Sequence, residues 1–206
     1  MSDIRFHKND LPGLLHYDVG AVAIDTETLG LNPHRDRLCV VQISPGDGTA
    51  DVIQIAPGQN KAPNLVSLLK NRSITKLFHF GRFDLAVLYN AFGVMPEPVF
   101  CTKIASRLTR TYTDRHGLKD ICLELLGVSL SKVQQSSDWA AETLSPEQLE
   151  YAASDVLYLH RLRDVLAARL AREKRTKEAE ACFRFLPTRA KLDLMGWGEA
   201  DIFAHS

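Results

Sequence analysis

Two carboxylates two residues apart, Asp25 and Glu27, follow a run of small and β-branched apolar residues, Ala21-Val22-Ala23-Ile24. Such a run reads as a buried strand, and on a strand residues i and i+2 share a face. Two acids side by side on a core strand repel each other and resist burial unless a cation sits between them. Hard carboxylate oxygens suit Mg²⁺ or Mn²⁺. If the strand instead ends by Asp25, both acids are solvated, and the pair alone does not separate the two readings. Two further acids follow. Asp84 stands early in a helix expected after the stretch KLFHF, where an Asp would also favour the helix dipole. Asp155 stands four residues after Tyr151 in a helix flanked by apolar residues. That spacing lets hydroxyl and carboxylate point into one cleft, although a solvated Asp fits there too.

The elements that must position these groups can be read from pattern and punctuation. A turn and short helix are expected over Asp10 to Tyr17, then strands over Ala21–Glu27, Leu38–Ser44 and Thr49–Ile55, with turn residues Gly30, Asn32 and Pro33 and the run Pro45-Gly46-Asp47-Gly48 between them. Links this short imply an antiparallel meander. Asn64 is expected to cap a helix that buries Leu65, Val66, Leu68 and Leu69. A strand over Lys76–Phe80 then turns at Gly81 into a helix over Arg82–Phe92, ended by Gly93 and Pro96. Val99–Cys101 reads as a fifth strand, followed by helices over Thr102–Leu108 and Leu118–Leu126. Ser145-Pro146-Glu147-Gln148 is the clearest helix start, with Ser145 as N-cap, Pro146 at N1 and Gln148 completing a capping box. That helix is expected to run past Arg163, and Ala167–Glu180 to be charged and helical. Strands first, then alternating elements, then helices, make an α/β layered domain: a mixed sheet, antiparallel meander first and parallel strands after, flanked by helices in an RNase H-like arrangement.

Length and composition narrow the function classes. The chain has 206 residues, 45% of them hydrophobic, enough for one domain with a full core. Zero formal net charge argues against gripping long nucleic acid through bulk positive charge. No apolar run is long enough to span a membrane, and the start MSDIRFHKND has no signal core. Cys39, Cys101, Cys122 and Cys182 are scattered, as expected for free thiols in a reducing cytoplasm.

Taken together, DTET, HFGRFD and YAASD, in that order, resemble the three motifs of the DEDD 3′–5′ exonucleases. The tyrosine places the resemblance in the DEDDy branch with ribonuclease D. The resemblance implies that Asp25, Glu27, Asp84 and Asp155 bind two divalent cations, Mg²⁺ or Mn²⁺, and that Tyr151 completes the catalytic set. In the roles it implies, Asp25 bridges both ions, Glu27 and Asp155 complete the ion beside the attacking water, and Asp84 holds the ion beside the leaving oxygen. Two ions about 3.5–4 Å apart would acidify the water and offset charge on the 3′-oxygen. Tyr151, a phenol with an ordinary pKa near ~10, would orient the water rather than take its proton.

Similarity to ribonuclease D covers about residues 20–165, including GLKDICLELLGVSLSKVQQSSDW. The chain reads as a single exonuclease domain over 1–206, with a C-terminal helix and tail over 166–206 and no additional nucleic-acid-binding domain. Across its whole length, including KIASRLTRTYTDRHGLK, SSDWAAETLS and DIFAHS, it is similar to the short nano-RNase C group of alphaproteobacteria. That resemblance implies a homo-octameric ring in the cytoplasm that cleaves diribonucleotides to mononucleotides. It places the reaction at the last step of RNA decay, with removal of the pGpG left from cyclic di-GMP. A general 3′–5′ exonuclease on longer RNA or on DNA is the alternative.

Substrate contacts are less constrained. Thr26 lies between the first two acids. Leu31 follows them and is a candidate wedge between bases, since oligoribonuclease, a relative in the same superfamily, has a leucine at the matching place; loop packing is its other reading. His79 and Phe80 are candidates to touch base or ribose. Rejecting a longer chain needs a cap on the 5′ phosphate, and the densest basic cluster is Arg107, Arg110, Arg115, His116 and Lys119. Lys132, Gln134 and Gln135 come before Trp139. Arg suits bidentate phosphate contact, although a solvated helix face gives the same pattern. The apolar tail residues Trp197, Ile202 and Phe203 are expected to pack on their own domain or on a neighbouring subunit.

Overall fold

A computed structural model describes residues 3–131 and 133–205. It contains strands β1 (Asp3–Lys8), β2 (Ala21–Thr28), β3 (Leu38–Ser44), β4 (Thr49–Gln54), β5 (Thr75–Phe78) and β6 (Val99–Cys101). The helices are α1 (Pro63–Lys70), α2 (Arg82–Phe92), α3 (Thr102–Thr109), α4 (Leu118–Leu126), α5 (Pro146–Leu157), α6 (Leu159–Arg172) and α7 (Thr176–Leu192). The six strands form one sheet in the order β1-β4-β3-β2-β5-β6. β2, β3 and β4 are the expected antiparallel meander, and β5 and β6 extend it in parallel from β2.

The period of two assigns each strand face. Val41, Ile43 and Ile53 enter a large core with α1, α2 and α6, while Val40 and Val52 enter a smaller one with Trp139, Leu144 and Ala152 beneath α5. All seven residues of β3 are buried, so this strand is the wall both cores share. The capping box forms as expected: the Ser145 hydroxyl accepts from Gln148 N, and Gln148 Oε1 accepts from Ser145 N.

Several expectations are corrected. β1, unforeseen in the sequence, pairs in parallel with β4 and is locked by Asp51, whose buried carboxylate accepts hydrogen bonds from Arg5, His7 and Tyr17. Asn64 does not cap α1; the Asp10 carboxylate accepts from the backbone N–H of Asn64 and Leu65 at 3.0 and 2.8 Å. β5 stops at Phe78 because Phe80 takes a left-handed backbone (φ 66°), which ends the ladder. The long helix after Ser145 breaks at Tyr158, so Asp155 lies in the last turn of α5. The charged stretch breaks again where Lys174 is left-handed (φ 56°), and α7 folds back onto α2 and β6. Phe100 and Phe183, ring centres 4.7 Å apart, join β6 to α7, and an Arg82–Asp193 ion pair joins α2 to the residue that follows α7.

Candidate active site

The cleft opens where the sheet comes apart. β5 pairs with β2 only at Ala21–Ala23. From Asp25 onward β2 has β3 on one side and, among the described residues, no strand on the other. The β2–β3 register shifts between Glu27 and Thr28, an irregularity of the kind that re-aims side chains beside sites. The opening lies at the carboxyl ends of parallel strands, the usual crevice of an α/β sheet. Gly81 lets the chain turn sharply from β5 into α2: a Cβ there would lie 2.8 Å from the Phe78 Cβ. The turn brings Asp84, in the first turn of α2, to the cleft, where its Oδ1 accepts from the Thr26 hydroxyl at 2.7 Å. α5 brings Tyr151 and Asp155 from the other side. The Trp139 ring, 6.0 Å from that of Tyr151 and tilted 40°, backs the tyrosine from the smaller core. The result is a cavity of about 290 Å³ lined by Asp25, Thr26, Glu27, Asp84, Tyr151 and Asp155 together with His79, Phe80 and Lys103.

Carboxylate oxygens of Asp25, Glu27 and Asp155 lie within 4.8 Å of one another. The electrostatics register the crowding. Burial, then the charges of Asp84, Asp155 and Glu27, raise Asp25 well above the ordinary carboxylate range. Glu27 is pushed up to about 9 by burial and by Asp155 and Asp84. Burial lifts Asp84 to about 7 against the Thr26 hydrogen bond, and lifts Asp155 to about 7 against the Tyr151 hydroxyl. Burial and the neighbouring acids hold the Tyr151 phenol far above its ordinary value. A cluster this acidic and at least half-buried fits a divalent cation, which offsets the cost of burying these charges and the mutual repulsion that adds to it at Asp25 and Glu27. Asp25, Glu27 and Asp155 are the residues placed to hold one, with Asp84 beside Asp25.

Residues 13–171 match the 3′-5′ exonuclease domain family. The chain belongs to that family. Its sheet and flanking helices are the RNase H-like arrangement. The exonuclease is 80% identical to the Brucella melitensis NrnC in a structure bound to pGG, with a TM-score of 0.98 and 100% of both chains covered. It is 79% identical to the same protein in a structure with bound Mg²⁺, with a TM-score of 0.96, covering 99% of this chain and 100% of that one. It is 36% identical over 154 residues to the ribonuclease D of Acidiphilium cryptum. That match covers 75% of this chain and 39% of the relative, so the chain spans about two-fifths of the length of that ribonuclease D.

The exonuclease distributes the remaining expected contacts unevenly. Thr26, His79 and Phe80 line the cavity. His79 Nδ1 sits 2.9 Å from the Thr102 hydroxyl, and burial, with the charge of Lys103, lowers the ring to about 3, which leaves it neutral. Leu31 is 86% exposed on the loop after β2, off the cavity wall. Arg110 is only 1% exposed. Its guanidinium is bound to Glu124, the Ser106 hydroxyl and the Arg115 carbonyl, so it braces the loop before α4 and is not free for phosphate. Arg115 is exposed and, like Gln134, lies off the cavity wall, while Gln134 accepts from the Ser137 hydroxyl. Trp139 is a buried support for Tyr151 rather than a cavity wall. Lys132 lies outside the described residues.

Two cations do reach the cavity, Lys103 and Lys119, together with the neutral amide of Gln135. Lys103 Nζ stands 4.3 Å over the Phe80 ring. Lys103 escaped sequence reasoning: it lies in the first turn of α3, one turn ahead of Arg107, and nothing in the sequence pattern sets it against Phe80, which has a left-handed backbone.

Proposed function

We propose that the protein is a metal-dependent 3′–5′ exoribonuclease that hydrolyses diribonucleotides such as pGpG to mononucleotides. The observation that carries the reading is the convergence of four carboxylates and the Tyr151 hydroxyl in one small cavity. Its volume of about 290 Å³ sits at the lower end of ligand pockets, roughly 300–1,000 Å³, which suits a short substrate more than a strand-length groove. The binding of pGG by the Brucella NrnC supports the same substrate class.

A bound divalent ion supplies an acidified water and offsets the charge on the leaving oxygen. Asp25, Glu27 and Asp155 provide the oxygens that hold it, and Thr26 fixes the rotamer of Asp84. The Tyr151 phenol stays protonated, because burial and its acidic neighbours oppose ionisation. It therefore donates a hydrogen bond and orients the attacking water rather than taking its proton. Water adds to phosphorus, the bond to the 3′-oxygen breaks, and that oxygen leaves with a proton. Phe80 offers a base a flat apolar face at the cavity mouth, and Lys103 and Lys119 offer charge to phosphate oxygens.

The same reading places the enzyme at the end of RNA decay and of cyclic di-GMP breakdown, in the cytoplasm, as a single catalytic domain assembled into a ring of eight. The exposed apolar side chains Met195, Trp197, Ile202 and Phe203 support assembly; light scattering at the monomer mass of 23.0 kDa would refute it. Purified protein incubated with 5′-labelled RNA of two to seven nucleotides and with DNA, in Mg²⁺ and in EDTA, tests the substrate. Fast cleavage of the dinucleotide alone is the expected result. Equal rates at all lengths, or a ladder on DNA, would make it a general exonuclease.

A further inference from the structure

Gln42 lies at the centre of β3 and is fully buried. Among the described residues, neither its Nε2 nor its Oε1 has a hydrogen-bond partner. Leaving a buried donor or acceptor unmade costs about 1–3 kcal/mol each, and an apolar residue would fit a strand buried along its whole length. The ladder says where the amide lies. Gln42 is the cross-strand partner of Asp25, and Val40, two residues away, is the partner of Glu27. Partners in an antiparallel pair project from the same face, with Cβ atoms about 4.5–5.5 Å apart. Gln42 therefore shares the α5 face of the sheet with both acids, next to the Val40 and Val52 side chains that pack under Tyr151 and Ala152.

We propose that Gln42 is a positioning residue for the metal-binding carboxylates, with its Nε2 donating to the Asp25 carboxylate when a cation is held there. The inference rests on the metal-dependent reading of the site. An ionised carboxylate only accepts, so the amide N–H is the atom it recruits. A carboxylate fixed from behind keeps its outer oxygens aimed at the ion. Partners of this kind are worth about 10–100-fold in metal affinity or activity.

The test is Gln42→Met, which keeps the length of the side chain and removes both polar atoms. The readout that does not depend on turnover is Mg²⁺ titration of the substrate-free protein, by calorimetry and by the Mg²⁺-induced rise in Tm. The expected result is a Tm in EDTA equal to or above that of the wild type, Mg²⁺ affinity about 10-fold or more weaker, and a fall in kcat with little change in KM for the dinucleotide. A Gln42→Met protein that is more stable yet binds Mg²⁺ and turns over like the wild type would overturn the proposal and make Gln42 an unpaired core amide. Should that variant lose its fold, Gln42→Leu under the same titration carries the test, because it also lacks the N–H and adds no charge to the site, so the same weakening is expected. A wild type that neither binds Mg²⁺ nor cleaves would refute the proposed function instead, so the two failures are distinguishable.

Discussion

Replacing Asp155 by Asn should stabilise the metal-free protein while abolishing its activity. In the folded state burial lifts this carboxyl from 3.8 to about 7. A folded-state pKa above the unfolded one means that the stability present below about pH 4 is lost as pH rises towards 7, because the buried group must ionise. At about 1.4 kcal/mol per pH unit, the full cost approaches ~4 kcal/mol by neutral pH. Asn carries no charge but still buries an amide, at a cost of about 1–3 kcal/mol if unpaired, so a net gain of roughly 1–3 kcal/mol is expected for the variant. For a chain of this size that is about 2–12 °C in Tm. The assay is thermal unfolding of both proteins in EDTA from pH 5 to pH 8. The gain should grow as pH rises to about 7 and flatten above it. Adding Mg²⁺ should raise the wild-type Tm and leave that of the variant nearly unchanged. A variant no more stable than the wild type in EDTA at pH 8, or a gain equal at pH 5 and pH 8, would refute the reasoning.

Tyr151→Phe should lower kcat about 100-fold or more with Mg²⁺ affinity nearly unchanged, and a large loss of affinity in a titration would contradict its role as a water-orienting donor. Leu31→Ala, at a site 86% exposed, should leave stability within about 0.5 kcal/mol and raise KM for the dinucleotide; an unchanged KM would remove Leu31 from the substrate. Lys103→Ala should raise KM for a 5′-phosphorylated dinucleotide, and equal KM values in wild type and variant would free the cavity of that contact. Burial alone would raise Asp51, but hydrogen bonds from Arg5, Tyr17 and His7 hold it below the ordinary range. Its stabilisation is therefore present above pH ~4 and lost as pH falls through its lowered pKa. Asp51→Asn should cost about 2 kcal/mol or more at pH 7 and progressively less as pH falls through the lowered pKa, as read from urea midpoints.

The acids were legible because their spacing follows the backbone. Asp25 and Glu27 obey the period of a strand, and Tyr151 and Asp155 that of a helix. Asp84 obeys neither, since its link to Thr26 spans 58 residues, and only the ordered set of motifs singled it out. Charge without burial misled at Arg110, whose partner Glu124 lies on the next helix, 14 residues away. A run of basic residues does not reveal which one the core has taken. β1 was hidden for the opposite reason. It is an edge strand whose Phe6 stays 40% exposed, so it lacks the apolar run that marked β2 and β3. What holds it is the Asp51 cluster, a polar device with no periodic signal.

Placing four acids together in one half-buried cavity works against the fold, and the rest of the molecule is arranged to bear it. β2 leaves its parallel neighbour after Ala23, so the acids fall where the ladder is already open and no further backbone pairing is lost. The strand that does continue alongside them, β3, is buried along its whole length and anchors two cores, so the repulsion acts on the best-packed part of the sheet. Asp155 is placed in the last turn of α5, just ahead of the break at Tyr158, which lets α6 set its own course to β2 and β5 without turning the carboxylate away. A site of this kind gains stability from its cation and loses it in its absence. Metal occupancy and folding stability should therefore rise together across a Mg²⁺ titration of the wild type, and the two curves should separate in any variant that neutralises one of the four acids.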